Sequence, residues 1–215
     1  MINLKDLLQL NNIKFSDNVD KKHQKNIDME TKLIADDMRV PHRPFPENSS
    51  RETREELSQL IDYNYGDIDE QYVKDGDTVN ELFKEYCNDN NLDYDEKYFK
   101  QILKESLKTI MSLKYYYNRP RPKQLAEFYG LDEFESFEVK SAQTPAYPSG
   151  HTTQGYLLAM ILGKKYPEHY DDFIDLAVFI TTSRIMGRLH YPSDCVFGKE
   201  VAKHIFSKLI QKQND

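Results

Sequence analysis

The feature that most constrains the fold is a long amphipathic segment, residues 93–117. Its apolar side chains recur at three- and four-residue steps, which is the period of an α-helix; they are Phe99, Leu103, Leu107, Ile110 and Met111. The sequence Asn118-Arg-Pro-Arg-Pro follows and ends the pattern, because proline disfavours the helical conformation in the residue before it. We therefore predict a helix from about Asp93 to about Tyr117.

The C-terminal half repeats this helical signal. Apolar residues at helical spacing predict three more helices: one from Ser149 or Gly150, one over about 171–186, and one over about 193–209. Alternating runs and Asn-Gly hairpins, the usual signs of strands, are missing. The sequence therefore predicts an all-α chain, arranged as a helical bundle or an orthogonal array.

The N-terminal half is less regular. Ser49 with Glu52, and Thr78 with Glu81, have the spacing of capping boxes, and the first of them predicts a helix to about Tyr63. The proline-rich residues 40–48 favour an extended connector. Residues 123–147 form a second connector, and connectors of that length tend to be functional.

Composition limits the partners and the compartment. The chain has 215 residues and a net charge of -7, which argues against nucleic acid or an anionic membrane as a partner. Its apolar stretches, such as 156–163, are too short to span a bilayer, and its N-terminus lacks the features of a signal peptide. Cys87 and Cys195 are compatible with one disulfide or with two reduced thiols. We expect a cytoplasmic protein without membrane insertion.

Two cations lie on faces that should be apolar. Lys114 follows Ile110 by four residues, and Arg184 follows Ile180 by four. Each could extend its charged end to solvent over an apolar stem. If both point inward, the cost of burying them predicts that an anion meets them.

A turn that opens a helix provides a second candidate feature. In Pro148-Ser149-Gly150-His151, the exposed backbone N–H groups at the helix start can bind an anion, and Gly150 lets that anion approach closely. Ser149 could instead serve only as the N-cap, which is the commoner role for serine at this position.

The third feature is His190 with Asp194, four residues later. His190 is predicted to lie in a connector between two helices, and Asp194 in the start of the second helix. A carboxylate that accepts a hydrogen bond from one imidazole nitrogen leaves the other nitrogen able to attack an electrophile. The alternative is that Asp194 merely caps its helix.

Together these residues resemble the three-part signature of the type-2 phosphatidic acid phosphatase superfamily. The parts are Lys114-(six residues)-Arg121-Pro122, Pro148-Ser149-Gly150-His151 and Ser183-Arg184-(five)-His190-(three)-Asp194. That group includes bacterial non-specific acid phosphatases and vanadate-dependent haloperoxidases. The resemblance implies a helical bundle of their type. We expect one domain over 1–215, with N-terminal helices and connectors in 1–92 and a catalytic helical core in 93–212.

The resemblance also implies a role for each residue. His190 would be the nucleophile that forms a phosphohistidine, Asp194 would orient it, and His151 would act as general acid and then as base. The phosphoryl oxygens would be held by Lys114, Arg121, Ser149, Gly150 and Arg184. Fixed cations suit phosphoryl transfer, which depends mainly on positioning and on stabilising charge.

The expected function is therefore that of a metal-independent acid phosphatase acting on a small soluble phosphate ester, with no cofactor. One alternative is a haloperoxidase, which would use vanadate in the same pocket. A second is a metal site formed by His151, His190 and Asp194, and a third is a non-catalytic phosphate-binding protein. Residues 1–92 match no recognisable motif, and one role open to them is the contact of a homo-oligomer.

Overall fold

A computed structural model of the protein describes residues 4–35, 39, 42–62, 70–131 and 134–212. The α-helices in these ranges are α1 (Leu4–Asn12), α2 (Lys21–Ile27), α3 (Arg51–Asp62), α4 (Glu70–Asp75), α5 (Val79–Asp89), α6 (Glu96–Tyr117), α7 (Pro122–Ala126), α8 (Gly150–Lys165), α9 (Tyr170–Met186) and α10 (Pro192–Lys212). Short 3-10 turns cover Glu127–Tyr129, Lys140–Ala142 and Pro167–His169. No described residue lies in a β-strand, so the all-α prediction is confirmed.

Helix α6 begins and ends where local chemistry requires it. The Asp95 carboxylate accepts the N–H of Tyr98 at 3.0 Å and caps the N-terminus. At the other end, Asn118 adopts the left-handed conformation (φ 50°), and its N–H donates to the carbonyl of Lys114 at 2.8 Å. The predicted helix is therefore present, and it begins three residues later than expected.

The centre of the molecule is α8, which packs against α9 and α10 and also contacts α6. Most of its residues from Thr152 to Gly163 are buried. Gly155 allows α9 to approach, since a Cβ at this position would lie 3.2 Å from Ile180 Cδ1. The main core unites α8 with the neighbouring helices through Phe83, Phe99, Ile102, Leu157, Leu162, Phe173, Ile180, Phe197, Val201 and Ile205.

A second apolar cluster joins the N-terminal helices to the segments that follow α6. Its buried members are Leu10, Leu57, Leu60, Leu125, Ala126, Phe134, Ala146 and Tyr191. Because α3 provides Leu57 and Leu60, this cluster places α3 beside Tyr191 and hence beside the start of α10.

Both predicted capping boxes are wrong in detail. The hydroxyl that accepts the Thr53 N–H at 3.1 Å belongs to Ser50, not to Ser49. Thr78 makes no side-chain cap to α5 and donates to the carbonyl of Asp75 instead. Helix α3 is described to Asp62, and its predicted end at Tyr63 lies outside the described residues.

The connector 123–147 contains more structure than its pattern indicates. It begins within α7, where Pro122 occupies the first helical position, and contains two of the 3-10 turns.

Cys87 and Cys195 are buried and are not joined to each other. Within the described ranges, no helix is both long enough and apolar enough to cross a membrane.

Candidate active site

His190 and Asp194 meet where α9 passes into α10. The His190 Nδ1 lies 3.0 Å from Asp194 Oδ2, which also accepts the N–H of Tyr191 at 2.9 Å. A carboxylate beside Nδ1 assigns the proton to that nitrogen and leaves a lone pair on Nε2. Asp194 lies inside the first turn of α10 and holds the imidazole, so it does more than cap a helix.

Arg121 covers the other side of the His190 ring. Its Nη1 lies 3.0 Å from His190 Nε2 and donates to the carbonyl of Leu189 at 2.6 Å, while Nε donates to the carbonyl of Thr144 at 2.8 Å. Because Arg121 immediately precedes α7, the extended segment after α6 carries it to the imidazole. The first and third parts of the sequence motif are therefore in direct contact.

Lys114 points inward from the last turn of α6. The side chain is buried, and its Nζ donates to the carbonyl of Pro145 at 2.5 Å. A Cβ placed on Gly150 would lie 3.8 Å from Lys114 Cε, so the start of α8 lies close to the lysine. Of the two orientations that the apolar face left open, Lys114 takes the inward one and does not extend to solvent.

Ser149 occupies the N-cap of α8. Its Oγ accepts the N–H of Thr152 at 3.4 Å and the hydroxyl hydrogen of Thr152 at 3.0 Å. Its own N–H donates to the carbonyl of Asp194 at 3.0 Å, which fixes the start of α8 against α10. Ser149 thus performs the capping role considered above, and it does so beside Asp194.

Arg184 and His151 meet at a carboxylate that the sequence did not reveal. Asp77 Oδ1 accepts from Arg184 Nη1 at 2.7 Å, from His151 Nε2 at 3.0 Å and from the Ser141 hydroxyl at 2.6 Å. Arg184 also donates to the carbonyl of Val73. The segment between α4 and α5 therefore contributes to this pocket.

Burial and mutual repulsion lower the pKa values of the basic side chains in the pocket. Burial, reinforced by the charges of Arg121 and Lys114, holds the pKa of His190 well below its ordinary value. The pKa of Lys114 is also well below its ordinary value, for the same reasons of burial and the Arg121 charge. Burial lowers the pKa of Arg121 to about 10. An anion would relieve this repulsion.

The Asp77 carboxylate partly offsets the effect of burial on the pKa of His151. Burial lowers the pKa of His151, and the hydrogen bond from His151 to Asp77 opposes that change. Burial alone would raise the pKa of Asp77, but hydrogen bonds from His151 and Ser141 and the charge of Arg184 outweigh it and hold this pKa below its usual range. His151 thus has a stronger tendency to carry a proton than burial alone would allow.

Two further charged residues lie behind Asp194. Arg119 is fully buried and donates to Asp194 Oδ1 at 2.6 Å and to Glu56 Oε2 at 2.9 Å. Arg119 lies two residues after the end of α6, but only Arg121 of this segment belongs to the sequence motif. Glu56 shares a helix face with Leu57 and Leu60, which is the signal that singled out Lys114.

A cavity of about 720 Å³ opens beside the pocket. Its walls include Phe15, Phe128 and Phe137, and it touches Arg121 and Leu189 but neither His151 nor His190.

Among the described residues, no group of three or more His, Cys, Asp or Glu side chains could hold a metal ion. The alternative metal site of His151, His190 and Asp194 is therefore not formed.

Comparisons with known proteins relate these residues to a family and a fold. Residues 101–205 match the protein-family model of the PAP2 superfamily. A 53-residue segment is 40% identical to an acid phosphatase of Zymomonas mobilis subsp. mobilis, over 25% of this chain and 20% of that protein. The crystal structure of a bacterial vanadium-dependent iodoperoxidase is similar with a TM-score of 0.63 at 16% identity, over 82% of this chain and 52% of that one. The chain thus spans about a fifth of the first relative and about half of the second.

Proposed function

We propose that this chain, which belongs to the PAP2 superfamily through residues 101–205, is a phosphatase that hydrolyses small phosphate monoesters. The superfamily resemblance drawn from the sequence motifs is confirmed by that match, and the likeness to the iodoperoxidase confirms the fold type. The partial similarity to an acid phosphatase supports the choice of reaction. The observation that carries the proposal is His190, whose Nδ1 faces Asp194 while its Nε2 lies among buried cations.

In the proposed reaction, His190 Nε2 forms a bond to phosphorus as the ester P–O bond breaks. His151 gives its proton to the departing oxygen, so that the leaving group is a neutral alcohol. A water molecule then attacks phosphorus, its proton passes to His151, and the Nε2–phosphorus bond breaks to release phosphate. Asp194 accepts a hydrogen bond from Nδ1 throughout and stabilises the positive charge that develops on the ring.

The cations would stabilise the charge on the phosphoryl oxygens. Lys114 and Arg121 donate to the backbone carbonyls of Pro145, Thr144 and Leu189, and Arg184 donates to the Val73 carbonyl and to the Asp77 carboxylate. A doubly charged phosphoryl group is a stronger acceptor than a carbonyl, so it would draw these donors toward itself. The Ser149 hydroxyl and the Gly150 N–H would complete the binding site. This arrangement calls for no metal ion.

The decisive test is the identity of the phosphorylated residue. We expect His190→Asn to remain folded and to lose turnover of a chromogenic phosphate ester by about a thousandfold or more. A labelled ester, quenched during turnover, should leave an adduct on His190 that is labile in acid and stable in base. His204→Asn, at a half-buried position ten residues after Asp194 on α10, provides the matched control and should retain activity.

Other outcomes would contradict the proposal. Wild-type turnover by His190→Asn, or a label on a serine, would rule out the histidine nucleophile. Loss of activity with a chelator would indicate a metal enzyme. Oxidation of halide with added vanadate and peroxide, without ester hydrolysis, would assign the chain to the haloperoxidases.

A further inference from the structure

A buried arginine stands between two carboxylates behind the candidate nucleophile. Arg119 directs Nη1 to Asp194 Oδ1 at 2.6 Å and Nη2 to Glu56 Oε2 at 2.9 Å. None of the Arg119 surface is exposed, and its guanidinium carbon lies 3.8 Å from the centre of the Tyr191 ring. Asp194 thus uses Oδ2 for His190 and Oδ1 for Arg119.

Charge balance explains why two carboxylates surround one guanidinium. A buried cation requires one counter-ion, and Asp194 alone would satisfy that need. The pair would then be neutral, and Asp194 would stabilise a positive charge on His190 less strongly. With Glu56 present, the group of Glu56, Arg119 and Asp194 carries one net negative charge.

We propose that Glu56 and Arg119 are positioning residues, which orient Asp194 and maintain a net negative charge beside His190. This inference rests on the proposed function, because it concerns the imidazolium that forms when His190 bonds to phosphorus. Within the described part of the chain, the hydrogen bonds and ion pairs of the Glu56 and Arg119 side chains go to each other, Ser193 and Asp194, and not to the side chains proposed to bind phosphate. They therefore act on the rate of phosphoryl transfer and leave the binding of phosphate unchanged.

The start of α10 holds Glu56 in place. Glu56 Oε1 accepts the N–H of Ser193 at 2.6 Å, and Glu56 Oε2 accepts the Ser193 hydroxyl at 2.9 Å. That hydroxyl oxygen also accepts from Arg119 Nη1 at 2.8 Å. Helix α3 is thereby bonded to the first turn of α10, which carries Asp194.

The charged or titratable groups that act on His190 come from several segments. They are Lys114 from α6, Arg121 before α7, His151 from α8, Arg184 from α9 and Asp194 from α10. All except Asp194 are basic, so the electrostatic support for an imidazolium must come from the side of Asp194. A second negative charge on that side, from Glu56, therefore strengthens the support for an imidazolium at His190.

The first experiment compares Glu56→Gln with Glu55→Gln. Gln keeps the shape of Glu56 but removes its charge, whereas Glu55 lies on the exposed face of the same helix and pairs with Arg51. We expect Glu56→Gln to lower the single-turnover rate of His190 phosphorylation by about tenfold or more. Its Kd for inorganic phosphate should stay within about twofold of the wild-type value. Glu55→Gln should match wild type in both.

A substrate-free measurement separates this inference from the proposed function. In the resting protein, nitrogen-15 NMR of His190 should show Nδ1 protonated and Nε2 unprotonated, with the Nδ1 proton shifted far downfield by Asp194. In Glu56→Gln, we expect that proton to move upfield, because Asp194 accepts more weakly. This comparison remains valid even if the wild-type protein hydrolyses no ester.

Arg119→Lys provides the second variant if Glu56→Gln fails to fold. An ammonium retains the charge but cannot make the forked contact with Glu56 and Asp194. We again expect slower phosphorylation with unchanged phosphate affinity. The proposal would be overturned by a folded variant with a wild-type rate, by parallel loss of phosphate affinity, or by an unmoved Nδ1 proton in Glu56→Gln.

Discussion

At the scale of single residues, Asp77 connects three parts of the chain. One of its carboxylate oxygens accepts from Arg184 on α9, from His151 on α8 and from Ser141 in the connector. Of these partners, Arg184 is proposed to bind the phosphoryl group and His151 to protonate the departing oxygen. Asp77 therefore influences both the charge of His151 and the position of Arg184.

The first prediction concerns the charge of Asp77. Its negative charge favours protonated His151, while burial, Arg184 and Lys114 favour the neutral form. Asp77→Asn should therefore lower the pKa of His151 further. Since the reaction needs His151 protonated at the start, the alkaline limb of kcat/KM against pH should shift to lower pH by roughly one unit. The measurement is a pH profile with a soluble ester.

Asp75→Asn is the matched control for this prediction. Asp75 is at the end of α4, and its carboxylate accepts a solvent-exposed hydrogen bond from Gln71 at 2.6 Å. Its variant should keep the wild-type profile. An optimum that moved to higher pH in Asp77→Asn, or a gain in turnover, would mean that Asp77 obstructs the phosphoryl site instead of supporting the acid.

Residue patterns could predict only part of this site. Lys114 and Arg184 were detectable because each charge extends an apolar helix face, and Glu56 carries the same signal beside Leu57. Asp77 has no such signal. It lies in a turn, 107 residues before Arg184, so only the packing of α4 against α9 brings the two together.

At the scale of elements, the contact of α8 with α10 sets the distance between Ser149 at the start of α8 and Asp194 in the first turn of α10. Gly198 on α10 faces the start of α8, where a Cβ would lie 2.8 Å from the carbonyl oxygen of Ser149 and 3.2 Å from Thr153 Oγ1. The Ser149 N–H is bonded to the Asp194 carbonyl in the same contact. No larger residue fits without moving α8 away from Asp194.

The second prediction is that Gly198→Ala destabilises the protein and impairs turnover. The clash is with backbone, which cannot move aside alone, so we expect a loss of about 1–3 kcal/mol in the free energy of unfolding. This should exceed the gain of about 1 kcal/mol from replacing glycine within a helix. Urea denaturation and the turnover of a phosphate ester measure the two effects.

Gly163→Ala on α8 is the matched control. The three atoms nearest to a Cβ there all belong to the ring of Tyr170, the closest at 2.5 Å, and unlike the backbone that Gly198 faces this ring is 45% exposed and can rotate away. This variant should retain the wild-type turnover and lose little stability. If Gly198→Ala were as stable as wild type or more stable, the cost of moving α8 away from α10 would not exceed the helix-propensity gain, and the prediction would be wrong.

Helical periodicity predicted the elements better than it predicted their ends. Helices α6, α8, α9 and α10 all lie where the apolar spacing indicated them. The cap of α3 could not be assigned by pattern, because Ser49 and Ser50 are adjacent and only the geometry selects Ser50. Helix α7 was missed because five residues are too few to show a period.

At the scale of the whole molecule, the N-terminal part of the chain takes part in the pocket. It provides the Glu56 carboxylate to Arg119 and the Asp77 carboxylate to Arg184, although residues 1–92 contain no recognisable motif. These contacts link segments more than 60 positions apart. Such pairings depend on tertiary packing, which local sequence does not encode.

The third prediction follows from two histidines whose pKa is lowered by folding. Burial is the main cause that lowers the pKa of both His190 and His151. The pKa of an unfolded histidine is about 6.5, so below that pH the unfolded chain binds protons that the folded protein does not. Stability should therefore fall with decreasing pH, by roughly 1–3 kcal/mol in the free energy of unfolding between about pH 7.5 and 5.5.

The assignment of this slope to the pocket can be tested in the same urea experiments. Replacing His190 with Gln removes the histidine whose pKa is lowered most strongly, so the loss of stability between the two pH values should shrink, whatever the variant's stability at neutral pH. Asp77 does not interfere in this window. Its pKa is depressed in the folded protein, so its contribution is lost only at a much lower pH. A wild-type protein equally stable at both pH values, or an unchanged slope in His190→Gln, would show that folding does not lower the pKa of these histidines.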